Sequence, residues 1–168
     1  MKHDDEQQRS DTIDEIAAIA DQTVAKLRDL SLLLRPPQLD ALGLEAALRW
    51  QASHMFRSDS PTLELALSAP PTRPAAAVEL ACFRIAQEAL TNVLRHADAS
   101  LVRVELHGDA KRLILRISDD GRGFAPAAAT GLGLVTMRER AQQLGGRFEI
   151  DSRPDHGTRL IAELPMTR

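Results

Sequence analysis

The Arg35-Pro36-Pro37 segment constrains this chain most, because two consecutive prolines end any helix that reaches them. Before it, apolar and small residues recur in steps of three and four, which is the spacing of a helix that packs against a partner helix. These residues are Ile13, Ile16, Ala20, Thr23, Leu27, Leu30 and Leu34. The sequence therefore predicts a mobile leader over 1–10, a partner-dependent helix over 11–36 and a separate domain over 37–168.

The periodicities of residues 37–168 predict a domain of mixed helices and strands. Helical spacing predicts three helices, at Leu44–Phe56, Ala75–Ala97 and Leu134–Leu144. Alternation of apolar and polar residues predicts five strands, at Thr62–Ser68, Leu101–His107, Arg112–Ser118, Arg147–Ser152 and Thr158–Leu164. Ala69–Pro74 is expected to be a linker loop, and Gly121–Gly133, which lacks periodicity, a long mobile loop.

Composition excludes several classes of function. The net charge of −3, without a long basic run, argues against a nucleic-acid binder, which must neutralise phosphates. The single cysteine, Cys82, rules out a disulfide framework within the chain and is expected to pack in the core. No apolar run is long enough to span a bilayer. We expect a cytoplasmic chain without membrane contact of its own, although a longer parent could be anchored.

A polar stripe on the longest predicted helix is the first candidate site. Glu88, Asn92 and Arg95 are spaced by four and three residues, which places them on one face of an α-helix, and His96 follows directly. Such a stripe is often only a solvated face. Here it combines a carboxylate, an amide and a guanidinium, a set that suits a hydrated Mg²⁺ and a phosphate.

Two glycine-containing segments are the other candidates. Asp119–Phe124 follows a strand, where a carboxylate can accept a hydrogen bond from an exocyclic amine and glycines let the backbone approach a ligand. An ordinary Asp-Gly turn is the alternative. Gly131–Leu134 opens a helix, whose N–H groups can face a phosphate. Neither segment matches a Walker loop or a dinucleotide-binding fingerprint.

Together and in order, these segments resemble the N, G1 and G2 boxes of sensor histidine kinases. The N box corresponds to Gln87–Ala97, the G1 box to Asp119–Phe124 and the G2 box to Gly131–Leu134. The junction Leu34–Leu44 is similar to that of the NarL/DesK type. The resemblance implies an α/β Bergerat (GHKL) ATP-binding two-layer sandwich, with a mixed sheet and helices on one face, preceded by a helix of a dimerisation bundle. Gyrase B, Hsp90 and MutL share this superfamily.

The resemblance also implies a role for each site residue. Asn92 would bind Mg²⁺, Glu88 would assist the metal or polarise the attacking group, and Arg95 would contact the phosphates of ATP. His96 would belong to the same nucleotide-binding set. The adenine pocket would be formed by Asp119, Gly121 and Gly123, with Thr158 supporting the carboxylate. Gly131 and Gly133 would hinge the loop over the phosphates, and Leu132 and Leu134 belong to the same box.

By this resemblance, the chain would use Mg²⁺-ATP to phosphorylate a histidine, from which a response-regulator receiver domain takes the phosphate. A homodimer is expected for the full-length protein. His3-Asp4 is not followed by an apolar repeat, so we interpret His3 as leader sequence and expect the chain to lack its acceptor histidine. The alternatives are an anti-sigma-factor-type serine kinase on the same fold and a non-catalytic dimerisation or regulatory module.

Overall fold

The computed structural model describes residues 36–56, 61–125 and 131–167, which form three helices, a π-helical turn and five strands. The helices are α1 (Pro37–Met55), α2 (Ala76–Asn92) and α3 (Leu132–Gln143), and the π-helical turn Val93–Ala97 continues α2. The strands are β1 (Thr62–Leu67), β2 (Leu101–Gly108), β3 (Arg112–Asp119), β4 (Arg147–Ser152) and β5 (Thr158–Pro165). The predicted leader over 1–10 and residues 11–35 of the predicted helix lie outside the described residues, as do 126–130 of the predicted loop.

The five strands form one mixed sheet in the order β1-β2-β3-β5-β4. β1 pairs with β2 in parallel because α2 lies between them in the chain, whereas the other three pairs are antiparallel. The loop β2–β3 is short: Asp109 accepts hydrogen bonds from the N–H groups of Lys111 and Arg112 at 2.7 and 2.9 Å. The predicted α/β sandwich with a mixed sheet is therefore confirmed.

Helices cover one face of the sheet, and the core lies between the two layers. Alternate residues of β2, β3 and β5 are buried, as period-2 side-chain alternation requires: Val102, Val104, Leu106, Leu113, Leu115, Ile117, Leu160, Ala162 and Leu164. The opposing surface comes mainly from α2, where Val78, Cys82 and Ile85 are fully buried. The expected core position of Cys82 is confirmed.

A bidentate ion pair joins the loop before α2 to both neighbouring helices. Arg73 donates from Nε and Nη2 to the carboxylate of Glu79 at 2.9 and 3.1 Å, and from Nη2 to the carbonyl of Leu39 at 3.0 Å. Glu79 is buried, whereas the Arg73 side chain is largely exposed. This contact fixes α1 against α2, the helix that carries the first candidate cluster.

Three helix boundaries differ from the prediction. The first helix begins at Pro37 rather than Leu44, with a break at Gly43, whose φ is 77°. The long helix leaves α-geometry after Asn92. The last helix begins at Leu132 rather than Leu134, because the N–H groups of Leu134 and Val135 both reach the carbonyl of Gly131. Its C-terminus is as expected: Gly145 has φ 75°, and Gly145 and Gly146 donate to the last turn.

Candidate functional site

A cavity of about 270 Å³ lies where the helix-covered face of the sheet ends. Its volume is near the lower limit of small-molecule sites, which is roughly 300 Å³. Most of its wall is apolar, and the polar groups are few. The described residues of the wall are Ala89, Asn92, Val93, His96, Ala97, Ile117, Asp119, Gly123, Phe124, Gly131, Gly133, Leu134, Met137, Ile150, Thr158 and Leu160. The three predicted clusters, which are separate in sequence, therefore meet around one cavity.

Two rows of residues run across the sheet beneath the cavity, and all of them except Ser152 line it. Register places Asp119 of β3 opposite Thr158 of β5, and Thr158 opposite Ser152 of β4. The preceding row on this face is Ile117, Leu160 and Ile150. Both rows point to the helix side of the sheet, so the apolar row lies directly beside the polar row. A flat apolar ring with one polar edge would fit such a floor.

Asp119 is the only carboxylate in this wall among the described residues. It is half-buried, and its Oδ1 accepts a hydrogen bond from the N–H of Gly121 at 3.0 Å. Burial raises the pKa of Asp119 above its ordinary value, and N–H groups of Gly121 and Thr158 oppose this effect. The side chain is thus a partly desolvated acceptor, for which an N–H donor of a ligand would be a favourable partner.

The segment that follows β3 is tied to both sides of the cavity. Gly121 is buried against the carbonyl of Ala97, so a Cβ there would collide with the end of the π-helical turn. The Gly121 carbonyl accepts the N–H of Gly157 at 2.7 Å. Gly123 has φ 55°, and a Cβ would collide with the carbonyl of Arg153. Glycine is therefore required at both positions by close backbone approach.

The neighbouring Asp120 has a different environment from Asp119. It is exposed, and its carboxylate accepts the N–H groups of Ser100 and Leu101 at 2.8 Å each and the Ser100 hydroxyl at 2.5 Å. These hydrogen bonds lower the pKa of Asp120, the Ser100 hydroxyl most. Asp120 thus joins the end of β3 to the start of β2, while Asp119 faces the cavity.

The helical wall differs from the prediction at Arg95. Asn92 and His96 line the cavity, whereas Arg95 is exposed and does not. His96, four residues after Asn92, shares its side even in an α-helix, whereas the longer repeat of the π-helical turn Val93–Ala97 brings Ala97 to this side and turns Arg95 away. Of Glu88, Asn92 and Arg95, only Asn92 lines the described wall, and the roles predicted for the other two stay predictions.

The glycines of the third cluster lie at the N-terminus of α3. Gly131 and Gly133 line the cavity, with Gly131 as the N-cap residue. Gly133 lies against the carboxylate of Glu88, and a Cβ there would collide with Oε1. Glu88 therefore sits beside the first turn of α3 rather than in the cavity wall. Leu134 lines the cavity, whereas Leu132 is 80% exposed and does not.

Ser152 is a polar residue of the site that the sequence analysis missed. It is buried, with 4% of its surface exposed. Its Oγ accepts the N–H of Phe124 at 3.0 Å, donates to the carbonyl of Gly157 at 3.0 Å and lies 3.0 Å from Oγ1 of Thr158. The available signal was its position: it follows Phe148 and Ile150 on the inward side of β4, where a polar residue breaks the apolar alternation.

Comparison with known proteins gives the same assignment along most of the domain. Residues 77–168 match the family described as histidine kinase-, DNA gyrase B- and HSP90-like ATPase. The oxygen sensor histidine kinase NreB of Staphylococcus carnosus (strain TM300) is 33% identical over 166 residues, which are 97% of this chain and 48% of that protein. The chain thus spans about half the length of this relative.

Solved structures with low sequence identity have the same fold. The histidine kinase domain of the blue-light activated histidine kinase from Erythrobacter litoralis EL346 superposes with a TM-score of 0.61 at 22% identity, covering 73% of this chain and 61% of that one. A mycobacterial sensor histidine kinase, MprB, gives 0.54 at 20% identity, over 71% and 93% of the chains. None of the described helices is long and apolar enough to cross a membrane.

The matched family covers α2, the sheet from β2 onward and every described wall residue of the cavity. Membership of a family of ATPases implies ATP as its nucleotide. The chain belongs to the family of histidine kinase-, DNA gyrase B- and HSP90-like ATPases.

Proposed function

We propose that this chain is the ATP-binding catalytic part of a two-component sensor histidine kinase, which transfers the γ-phosphoryl group of ATP to a histidine. The single observation that carries the proposal is the convergence of Asn92, Asp119 and the glycines at 123, 131 and 133 on one cavity. The similarity to NreB, named as a sensor histidine kinase, supports this choice within the family.

Adenine would occupy the inner, apolar part of the cavity. Ile117, Ile150 and Leu160 offer a flat apolar surface, and Asp119 stands at its polar edge. The exocyclic amine of adenine would donate to Asp119, a half-buried acceptor that lacks a charged partner in the described wall. Burial raises the pKa of this carboxyl, so a donor that stabilises its ionised form would be bound more tightly than by an exposed aspartate.

The phosphates would lie between the end of α2 and the start of α3. The N-terminus of a helix such as α3 favours anions, because its first backbone N–H groups have no partner within the helix. Gly131 leaves open space on its side of this approach, whereas Gly133 lies against the carboxylate of Glu88. His96 lines the same side, and Arg95 is exposed one residue away. Arg95 would reach the phosphates only from outside the described wall.

Mg²⁺ would be held together with the phosphates. No group of three or more acidic, histidine or cysteine side chains that could cage a metal occurs among the described residues. Mg²⁺ commonly needs only one or two protein oxygens when phosphates supply others. Asn92 in the wall and Glu88, one helical turn earlier and beside Gly133, offer an amide and a carboxylate oxygen. The ion would supply charge neutralisation at the phosphates.

The remaining parts of the reaction would come from other segments or partners. We propose a homodimer in the full-length protein, an acceptor histidine beyond this chain and a response-regulator receiver domain as the recipient of phosphate. A cytoplasmic location is consistent with these partners.

Radiolabelled ATP and Mg²⁺ test the proposal. The chain alone should remain unlabelled on a denaturing gel, because its acceptor histidine is not evident. With a second polypeptide that carries an acceptor helix of a sensor kinase, acid-labile phosphate should appear on that polypeptide. Asn92→Asp and Asp119→Asn are the matched site variants, and each should abolish most of the labelling. Acid-stable phosphate on serine would instead support the serine-kinase alternative, and failure to bind ATP would contradict the proposal.

A further inference from the structure

The hydrogen bonds around Ser152 join three segments that enclose the polar end of the cavity. Ser152 ends β4, Phe124 belongs to the loop after β3, Gly157 ends the β4–β5 turn, and Thr158 begins β5 and lines the cavity. All three contacts of the Ser152 oxygen are 3.0 Å long. Since Ser152 is buried, water does not compete for this oxygen.

The direction of each hydrogen bond follows from counting protons. A serine hydroxyl has one proton to donate and two lone pairs that accept. The N–H of Phe124 can only donate, so it takes one lone pair. The carbonyl of Gly157 can only accept, so it takes the single proton. One lone pair of Ser152 remains for Thr158, so the Thr158 hydroxyl must be the donor.

The opposite direction is unfavourable. If Ser152 donated to Thr158, the carbonyl of Gly157 would face an oxygen without a proton at 3.0 Å. A buried acceptor without a donor carries the full cost of its desolvation. The arrangement with every group paired is therefore the stable one.

We propose that Ser152 is a positioning residue that determines nucleotide specificity, because it takes the only hydroxyl proton of Thr158. Thr158 then presents lone pairs alone to the cavity. Asp119, its neighbour in the sheet, presents a carboxylate to the same place. The polar end of the cavity is thus lined by two acceptors and calls for a ligand with two donors.

The 6-amino group of adenine has two N–H donors, whereas hypoxanthine has an oxo group at the same position. An oxo group would place a lone pair against the two acceptors, without a proton between them. The inference rests on the proposed function, since it assumes that a purine base occupies this end of the cavity. It assigns the discrimination between 6-amino and 6-oxo purines to a residue that does not itself line the cavity.

The experiment compares ADP and IDP by calorimetric titration with Mg²⁺ present, using the full chain and Ser152→Ala. The wild type should bind ADP more tightly than IDP. In Ser152→Ala the Thr158 proton is free to turn toward an oxo group, so the ratio of the two affinities should fall about two- to tenfold, the range of one neutral hydrogen bond. Ser118→Ala is the matched control, because alternation along β3 directs Ser118 away from Asp119. Its ratio should equal that of the wild type.

A second pair of variants decides the matter if Ser152→Ala does not fold. Thr158→Ser keeps the hydroxyl and its bond to Ser152 and should keep the wild-type ratio, whereas Thr158→Val should lower it. Equal loss of ADP and IDP affinity in Ser152→Ala would reduce Ser152 to a structural residue and overturn the inference. So would an unchanged ratio in Thr158→Val. Wild-type binding of both nucleotides with equal affinity would overturn it while leaving the proposed function intact, and binding of neither would contradict the proposed function itself.

Discussion

Asp119 and Asp120 are adjacent carboxylates whose substitution should have opposite consequences. Asp119 faces the cavity, and burial raises its pKa, whereas Asp120 is exposed and hydrogen bonds lower its pKa. In Asp119→Asn, one amide oxygen remains for the N–H of Gly121, and the amide N–H₂ would face the ligand. A donor would then meet the adenine amine, itself a donor.

The loss can be estimated from the hydrogen bond that disappears. A hydrogen bond to a charged group contributes roughly 1.5–3 kcal/mol. At about 1.4 kcal/mol for each factor of ten, ATP affinity should fall roughly 10- to 100-fold in Asp119→Asn. Asp120→Asn should bind ATP as the wild type does.

Thermal stability should show the reverse order. Because the pKa of Asp119 is raised in the folded state, protonated Asp119 adds to the stability of the fold below its ordinary pKa of about 3.9. This contribution is lost as the pH rises through the pKa of Asp119 in the folded chain. At pH 7 its charge therefore opposes folding, and Asp119→Asn should melt no earlier than the wild type. Asp120→Asn should melt slightly earlier at pH 7, because a favourable charge on the Ser100 and Leu101 contacts is lost. Calorimetric titration with ATP and thermal melts should be carried out on both variants. The reasoning is refuted if Asp119→Asn binds ATP as tightly as the wild type, or if Asp119→Asn is unfolded while Asp120→Asn is folded.

Three further outcomes are expected. Cys82 is fully buried, and burial raises its pKa to about 12. A thiol reagent such as a disulfide dye should therefore label Cys82 only as fast as the domain unfolds. Rapid labelling of the native chain would contradict this expectation. Gly123→Ala should lower the free energy of unfolding by at least about 1–2 kcal/mol, because the φ of Gly123 is positive and backbone carbonyls occupy the space of a Cβ. Gly131→Ala, which has open space for a Cβ, should have the free energy of unfolding of the wild type. Denaturant titration compares the two variants. Hydrogen bonds lower the pKa values of Asp109 and Asp120. The stability that these two carboxylates contribute should therefore be present above about pH 3.9 and decline as the pH falls below it. Thermal melts of the wild type and of Asp120→Asn over a range of pH can measure this decline.

Local patterns predicted most of the fold because the determining signals are short-range. Alternation of apolar residues along β2, β3 and β5 corresponds to side chains that are buried in the sheet. Gly145 ends α3 where a left-handed residue was expected. The three motifs do meet around one cavity, although each was ambiguous alone.

The differences from prediction arise where distant segments determine local geometry. The π-helical end of α2 leads into Asp98, whose φ is 51°, and the carbonyl of Ala97 accepts the N–H of Arg122 from the loop after β3. Helical spacing alone does not reveal this contact, and it does not predict that Arg95 lies outside the cavity wall that the structure describes. Ser152 was missed for a similar reason: its partners, Phe124 and the consecutive pair Gly157 and Thr158, come from two segments that meet only in the folded chain.

Calorimetric titration of the purified chain with ATP, with and without Mg²⁺, tests the central claim most directly. The account predicts binding at one site per chain, tighter when Mg²⁺ is present, and lost in large part in Asp119→Asn. Absence of binding by a folded chain, or binding that is the same in wild type and Asp119→Asn, would contradict it.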